Sequence, residues 1–161
     1  MSTSTYINIP PIKGESSDVD HTDWIEVESF SISEAQSVSD ASSTGGLVAT
    51  QAMFGELSIV KLIDKSSPDV NLHCAQGTSI DELELQVCVE TGSKEWYVQI
   101  KLTHVVISSV SLSGGGMSRP TENVTFAYGQ IDWDYKPIGA DGAVGSAVGP
   151  KGWNIETGDP K

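Results

Sequence analysis

The feature that most constrains this chain is an apolar alternation too long to stay straight. Trp96, Val98, Ile100, Leu102, Val106, Val110 and Leu112 share one phase, Tyr97, Gln99, Lys101 and Thr103 take the other, and His104 falls on the apolar side. Fully extended, residues 96–112 would reach about 56 Å at roughly 3.3 Å each, whereas a compact domain of this length is about 40 Å across. The strand must bend, or pass from one sheet to another. A second alternation places Leu83, Leu85, Val87 and Val89 on a core face and Glu82, Glu84, Gln86, Cys88 and Glu90 on the other, so Cys88 is expected to point away from that core.

Phase breaks support a bent architecture. The apolar phase flips between Ile25 with Val27 and Phe30 with Ile32, and again between Phe126 with Tyr128 and Ile131 with Trp133, where Gly129 tolerates a kink. Strands that coil this sharply are those of barrels and orthogonal sandwiches. One short helix is expected, with Ser67 as N-cap, Pro68 at the first helical position, Asp69 in the first turn and Gly77 as the stop. Val70 and Cys74, spaced i, i+4, are its expected contacts with a sheet, which makes Cys74 a core residue. Residues 35–50, 113–120 and 137–152 read as loops rich in Ser, Gly and Ala, the last as a flexible connector before Trp153.

Composition removes several function classes. The 161 residues suit a single domain spanning 1–161, and the formal charge is −13, with Arg119 the only arginine. No basic cluster exists to neutralise phosphates, so neither nucleic acid nor membrane insertion is expected. Residues 1–60 carry nine acids against Lys13 alone, which implies a strongly negative surface region, serving solubility or acting as a steering field. Met1–Thr5 lacks a basic region followed by an apolar segment, so no conventional secretion signal is expected. Two cysteines allow one disulfide at most.

Recognisable chemistry is sparse. His21, His73 and His104 are scattered without metal-ligand spacing, and no cofactor is expected. Asp18–Asp23 has the acidity of a calcium loop, but Asp23 stands where an EF-hand needs glycine, so a solvated acidic turn is the expectation. Gly114–Gly116 leads to Met117-Ser118-Arg119-Pro120 and lacks the lysine of a phosphate-binding loop. No catalytic residues are assigned, and the chain is not expected to be an enzyme. The residues alone leave open a structural subunit, a monomeric β-barrel binding module or soluble chaperone, and a hydrolase built on diffuse carboxylates.

A set of collinear stretches narrows this. Tyr6-Ile7-Asn8-Ile9 with Ile12-Lys13-Gly14-Glu15-Ser16, Phe30-Ser31, Asp64-Lys65-Ser66 with Pro68, Cys74 with Gly77, Ser108-Ser109-Val110-Ser111, Gly115-Gly116 through Arg119-Pro120-Thr121-Glu122-Asn123-Val124, and Gly152-Trp153-Asn154-Ile155 occur in order. Together they resemble the haemolysin-coregulated protein (Hcp) family, inner-tube subunits of bacterial type VI secretion systems. The resemblance implies a mainly β fold, a strongly coiled two-sheet β-barrel with one short α-helix packed on its side. It further implies homohexameric rings stacked into a hollow tube within a contractile sheath, with a trimeric VgrG-type spike at the tip and small effector proteins carried in the lumen. Assembly in the bacterial cytoplasm and secretion by the type VI machine without a signal peptide follow from the same resemblance.

Two groups of residues take roles in that picture. As the resemblance implies, the long loop at residues 36–50, with help from the chain's amino-terminal end, is assigned to ring stacking, with Ser42, Ser43, Thr44, Gly45, Gly46, Leu47 and Val48 as its contact residues; glycines permit unusual backbone angles and Leu47 and Val48 offer an apolar anchor. Ser29, Ser31 and Ser33 alternate with Phe30 and Ile32. The apolar pair is expected in the core and the serines on the channel wall, where Ser31 also matches a lumen-facing position of the family.

Overall fold

The computed structural model describes residues 2–41 and 45–161. Among these, eleven strands and one helix follow in the order β1 (Ser2–Asn8), β2 (Ile25–Val27), β3 (Ser29–Ser31), β4 (Glu34–Ala41), β5 (Gly46–Phe54), β6 (Leu57–Leu62), α1 (Ser67–Gln76), β7 (Ser79–Glu90), β8 (Lys94–Gly115), β9 (Ser118–Tyr135), β10 (Lys151–Asn154) and β11 (Asp159–Pro160). One sheet runs β11-β10-β9-β8-β7-β1-β2, with β6 joined to β9 and β3 to β6, while β4 and β5 form a separate two-stranded sheet.

The first phase break is what closes the barrel. β2 pairs with β1 and β3 pairs with β6, and between them Glu28 donates its N–H to Val60 O at 2.8 Å. A single extended stretch thus leaves one neighbour and joins another, completing the circuit β9–β8–β7–β1–β2/β3–β6–β9. Inside it lie Ile7, Leu57, Ile59, Leu83, Leu85, Leu102, Val105, Ile107, Val124, Phe126 and Ile131, all buried. The fold is mainly β with one helix, as expected.

The second break is a corner crossing three strands. Ladder pairing lapses at Asp81, His104 and Gly129, which lie level in β7, β8 and β9. On one side Ile80, Val105 and Phe126 face the core, and on the other Leu83, Leu102 and Ile131 do. The three strands therefore change phase together without losing register. The uninterrupted alternation read through β8 is corrected here: His104 adopts φ 58° and is exposed, Val105 and Ile107 turn inward, and Leu112 is exposed. A positive φ is costly for a residue with a side chain, and the His104 Nδ1 contact with the Glu156 carboxylate accompanies it. Gly129 makes room opposite, since a Cβ there would run into that same carboxylate.

Helix α1 begins one residue earlier than expected. Ser66 occupies the cap position and Ser67 is the first helical residue, because the Ser67 hydroxyl is engaged with Asp64 N–H (3.1 Å) and Glu122 Oε2 (2.9 Å). Gly77 ends it in the left-handed conformation, φ 64°. Val70 is buried and Cys74 partly buried against the core, on the side of β8.

The three expected loops are corrected in part. Residues 35–50 lie largely in the β4–β5 hairpin, which period-two analysis could not see because its apolar residues Val38, Leu47, Val48 and Met53 are exposed and no core selects one face. Residues 113–120 are the ends of β8 and β9 around a two-residue turn, Gly116-Met117. Residues 137–152 are mostly irregular but hydrogen-bonded: Gly145 N–H to Pro137 O at 2.7 Å, Val148 N–H to Tyr135 O at 2.8 Å and Gly149 N–H to Asp134 Oδ1 at 3.0 Å.

Candidate functional site

The hairpin projects from the barrel. Its strands pair from Glu34↔Phe54 to Ala41↔Gly46, with an irregularity at Ser37/Val38, and each finds its main contacts in the other. Of the residues assigned to stacking, Gly45 takes φ 69° at the turn, Gly46 opens β5, and Leu47 and Val48 are exposed, Leu47 at 75%. Ser42, Ser43 and Thr44 lie outside the described residues. Isolated two-stranded ribbons are marginal in water, so this one gains from a surface to lie against.

At its root Phe54 stacks on two tryptophans. The ring centroids of Trp133 on β9 and Trp153 on β10 are each 6.5 Å from that of Phe54, with interplanar angles of 27° and 23°. A slot of about 370 Å³ opens between these tryptophans and Glu34, Ala35, Gln36 and Ala52 of the hairpin. Two hydrogen bonds fix the joint: Gly55 N–H to Ser33 O and Tyr128 O–H to Gly55 O, both 2.7 Å. Burial pushes the Tyr128 phenol up to about 12, which keeps it a donor. Sequence reasoning missed this joint; the aromatics come from three distant segments and meet only through the β9–β10 pairing.

Ser29, Ser31 and Ser33 are exposed on the side opposite Phe30 and Ile32, which pack on the core. Register adds residues that spacing along the chain could not. Ser31 pairs with Ser58, Ser58 with Thr125 and Thr125 with Ser109, a row of small hydroxyl side chains crossing β3, β6, β9 and β8 on the outer face. Ser108 Oγ lies 2.8 Å from Thr125 Oγ1 and donates to Glu56 Oε2 at 2.8 Å.

A third cluster lies under the segment from Gly14 to Trp24, which folds over the outer face of β1 and β7. His21 is buried and stacks on Tyr6 (4.4 Å, 11°) with Trp24 edge-on at 4.8 Å. Its Nδ1 faces Asp18 Oδ1 at 2.6 Å, and its Nε2 faces Gln86 Oε1 at 2.8 Å and Cys88 Sγ at 3.6 Å. Lys94 donates to Asp18 Oδ2 at 2.7 Å and to Tyr6 Oη at 2.9 Å. The bonds from Lys94 and His21 hold the Asp18 carboxyl down at about 2, and Asp18 in turn raises Lys94. Asp18–Asp23 is the acidic turn expected, with Val19, Asp20 and Thr22 exposed but tethered through Asp18 and His21, and Cys88 lies on the face away from the barrel core as expected, where it is nonetheless buried, its thiol pushed up to about 11 by desolvation. Both cysteines are free thiols. Among the described residues no group of three or more His, Cys, Asp or Glu is arranged to hold a metal ion, and no helix is long and apolar enough to cross a membrane.

Comparison with known proteins agrees with this architecture. The family model described as "Type VI secretion system effector, Hcp" matches residues 6–135. The chain is 38% identical over 157 residues to "Protein hcp1" of Pseudomonas aeruginosa, covering 96% of both. A solved "type six secretion system protein" superposes with a TM-score of 0.94 at 36% identity, over 99% of this chain and 100% of that one. Hcp1 from Salmonella typhimurium shares the fold, with a TM-score of 0.79 at 22% identity over 99% and 100%. With coverage from the first strand to the last and the same coiled barrel, this chain belongs to the Hcp family of type VI secretion proteins.

Proposed function

We propose that the chain is a single-domain structural subunit of the type VI tube, closing into homohexameric rings that stack through the β4–β5 hairpin. The observation that carries this is the hairpin itself: among its described residues the two strands make their main contacts with each other, and Val38, Leu47, Val48 and Met53 are exposed. Exposed apolar residues on a projecting ribbon are explained by burial against another molecule. Six-fold closure needs a heterologous contact, and unpaired strand edges are suited to it.

In that assembly the hydroxyl row through Ser31 and Ser58, with Ser29 and Ser33 beside it, lines the lumen. Small neutral side chains there leave room for an effector without fixing its sequence. A trimeric VgrG-type spike, a contractile sheath and secreted effectors complete the partners implied by family membership.

Native mass spectrometry tests ring formation and electron microscopy tests stacking. A species near six times the 17.1 kDa subunit is expected, together with tubes at high protein concentration. Replacing Leu47 and Val48 with serine should keep the ring and cut tube number at least tenfold. A lone subunit at high concentration would favour the monomeric barrel instead, and undiminished tubes in the serine variant would remove the hairpin from stacking.

A further inference from the structure

The hairpin acts as a lever, and its direction is set at its root. β4 has eight residues, so its tip stands about 25 Å from the barrel at roughly 3.3 Å per residue. A tilt of about 10° at the root would move that tip by about 4 Å, close to the spacing of neighbouring strands. Leu47 and Val48, near the tip, would then miss a docking surface built for them. The two hydrogen bonds at Gly55 hold the root itself in place. Tilting is further opposed by the contacts of Phe54 with Trp133 and Trp153, both within the range of aromatic pairing, which a rotation at the root would break together.

One of those two rings comes from the chain's last segment. β10 pairs with β9 so that Lys151 lies opposite Trp133 and Trp153 opposite Ile131, which puts the two tryptophans diagonally on one face. The segment is fastened on both sides of Trp153. Ile155 N–H donates to Gly129 O at 2.8 Å, Glu156 meets His104, Lys161 N–H donates to Gly152 O at 3.1 Å, and Lys161 Nζ reaches Asp132 Oδ2 at 2.7 Å. These bonds hold Trp153 in place against Phe54. On the hairpin side Ala35 and Ala52 are small, which leaves the slot of about 370 Å³ as free travel should the platform go.

We propose that Trp153 is a positioning residue for ring stacking: with Trp133 it forms the platform that, through Phe54, aims the hairpin. This rests on reading the hairpin as the stacking element. Trp153 lies beyond residue 135, where the family-model match ends, and its proposed contribution to stacking runs through Phe54 at the hairpin root.

The test uses full-length protein under the conditions in which the unsubstituted chain forms tubes. Trp153→Ala should keep the ring mass and lose at least tenfold in tubes, and Trp153→Phe should restore most of them. Ala52→Trp, which fills the slot from the hairpin side and leaves the barrel core untouched, should also keep rings and lose tubes; it decides the matter if Trp153→Ala does not fold. Wild-type tube levels in Trp153→Ala, or in Ala52→Trp where only that variant folds, would overturn the positioning role while the Leu47/Val48 serine variant still fails to stack. Loss of rings along with tubes in folded variants would overturn it too, assigning Trp153 to ring closure. If the Leu47/Val48 variant also stacks normally, or the unsubstituted chain never stacks, it is the underlying stacking reading that has failed.

Discussion

Asp18 connects three elements through one carboxylate: its own turn, β8 through Lys94, and the buried His21 that seats the turn on β1. Its folded pKa, about 2, lies below the ordinary 3.8. The stabilisation is therefore fully present above about pH 4 and fades as the pH falls through about 2. Asp18→Asn should lose on the order of 1 kcal/mol at neutral pH, because the site is partly open to water, and urea melts of the two proteins should converge between about pH 4 and pH 2. A gap that stays constant with pH would mean the charge is not what matters. At this scale the sequence was half legible. Alternation correctly put Cys88 on the side away from the barrel core, but what buries it is the Gly14–Trp24 segment, folded across from a distant part of the chain.

Helix α1 illustrates an element fixed by a buried ionic joint more than by its own turns. Ten residues are too few for stability in isolation. Lys61 on β6, wholly buried, donates to Glu122 Oε2 on β9 at 2.8 Å and to Ser67 Oγ at 3.2 Å, and lies 3.0 Å from Asp64 Oδ1. Glu122 is also buried, so Lys61→Met would leave a carboxylate in the interior without its cation. The expected loss is about 3–5 kcal/mol, read as a lower urea midpoint, and Lys61→Met/Glu122→Met should recover part of it by removing the stranded charge. If the double variant is worse than the single, the joint is not electrostatic. Helix ends were visible in Pro68 and Gly77, yet not the joint, since a lysine and a glutamate 61 positions apart carry no mark of their pairing. The hairpin was hidden for the opposite reason: with both faces exposed it has no apolar phase to read.

For the whole molecule, charge opposes assembly. In the proposed ring six copies at −13 each would bring together roughly −78, and a depression lined by Glu15, Glu26, Glu28 and Asp64 with Arg119 shows how acids gather beside β2. Screening length falls from about 10 Å at 0.1 M salt to about 3 Å at 1 M, so ring and tube formation should strengthen with ionic strength in light scattering. Steady dissociation as salt rises would show that specific ion pairs between subunits dominate. The sequence by itself determined the strand character, the two phase breaks that force a coiled barrel, the lone helix and the family, because alternation, punctuation by proline and glycine, and collinear motifs are properties of neighbours along a chain. Only the tertiary structure decided that Glu28 closes the barrel, that Asp81, His104 and Gly129 make one corner, that Ser31 lies in a row with Ser58 and Thr125, and that Trp153 supports Phe54. Each of these is a meeting across strands, and cross-strand register is set by packing of the whole core rather than by any local stretch of residues.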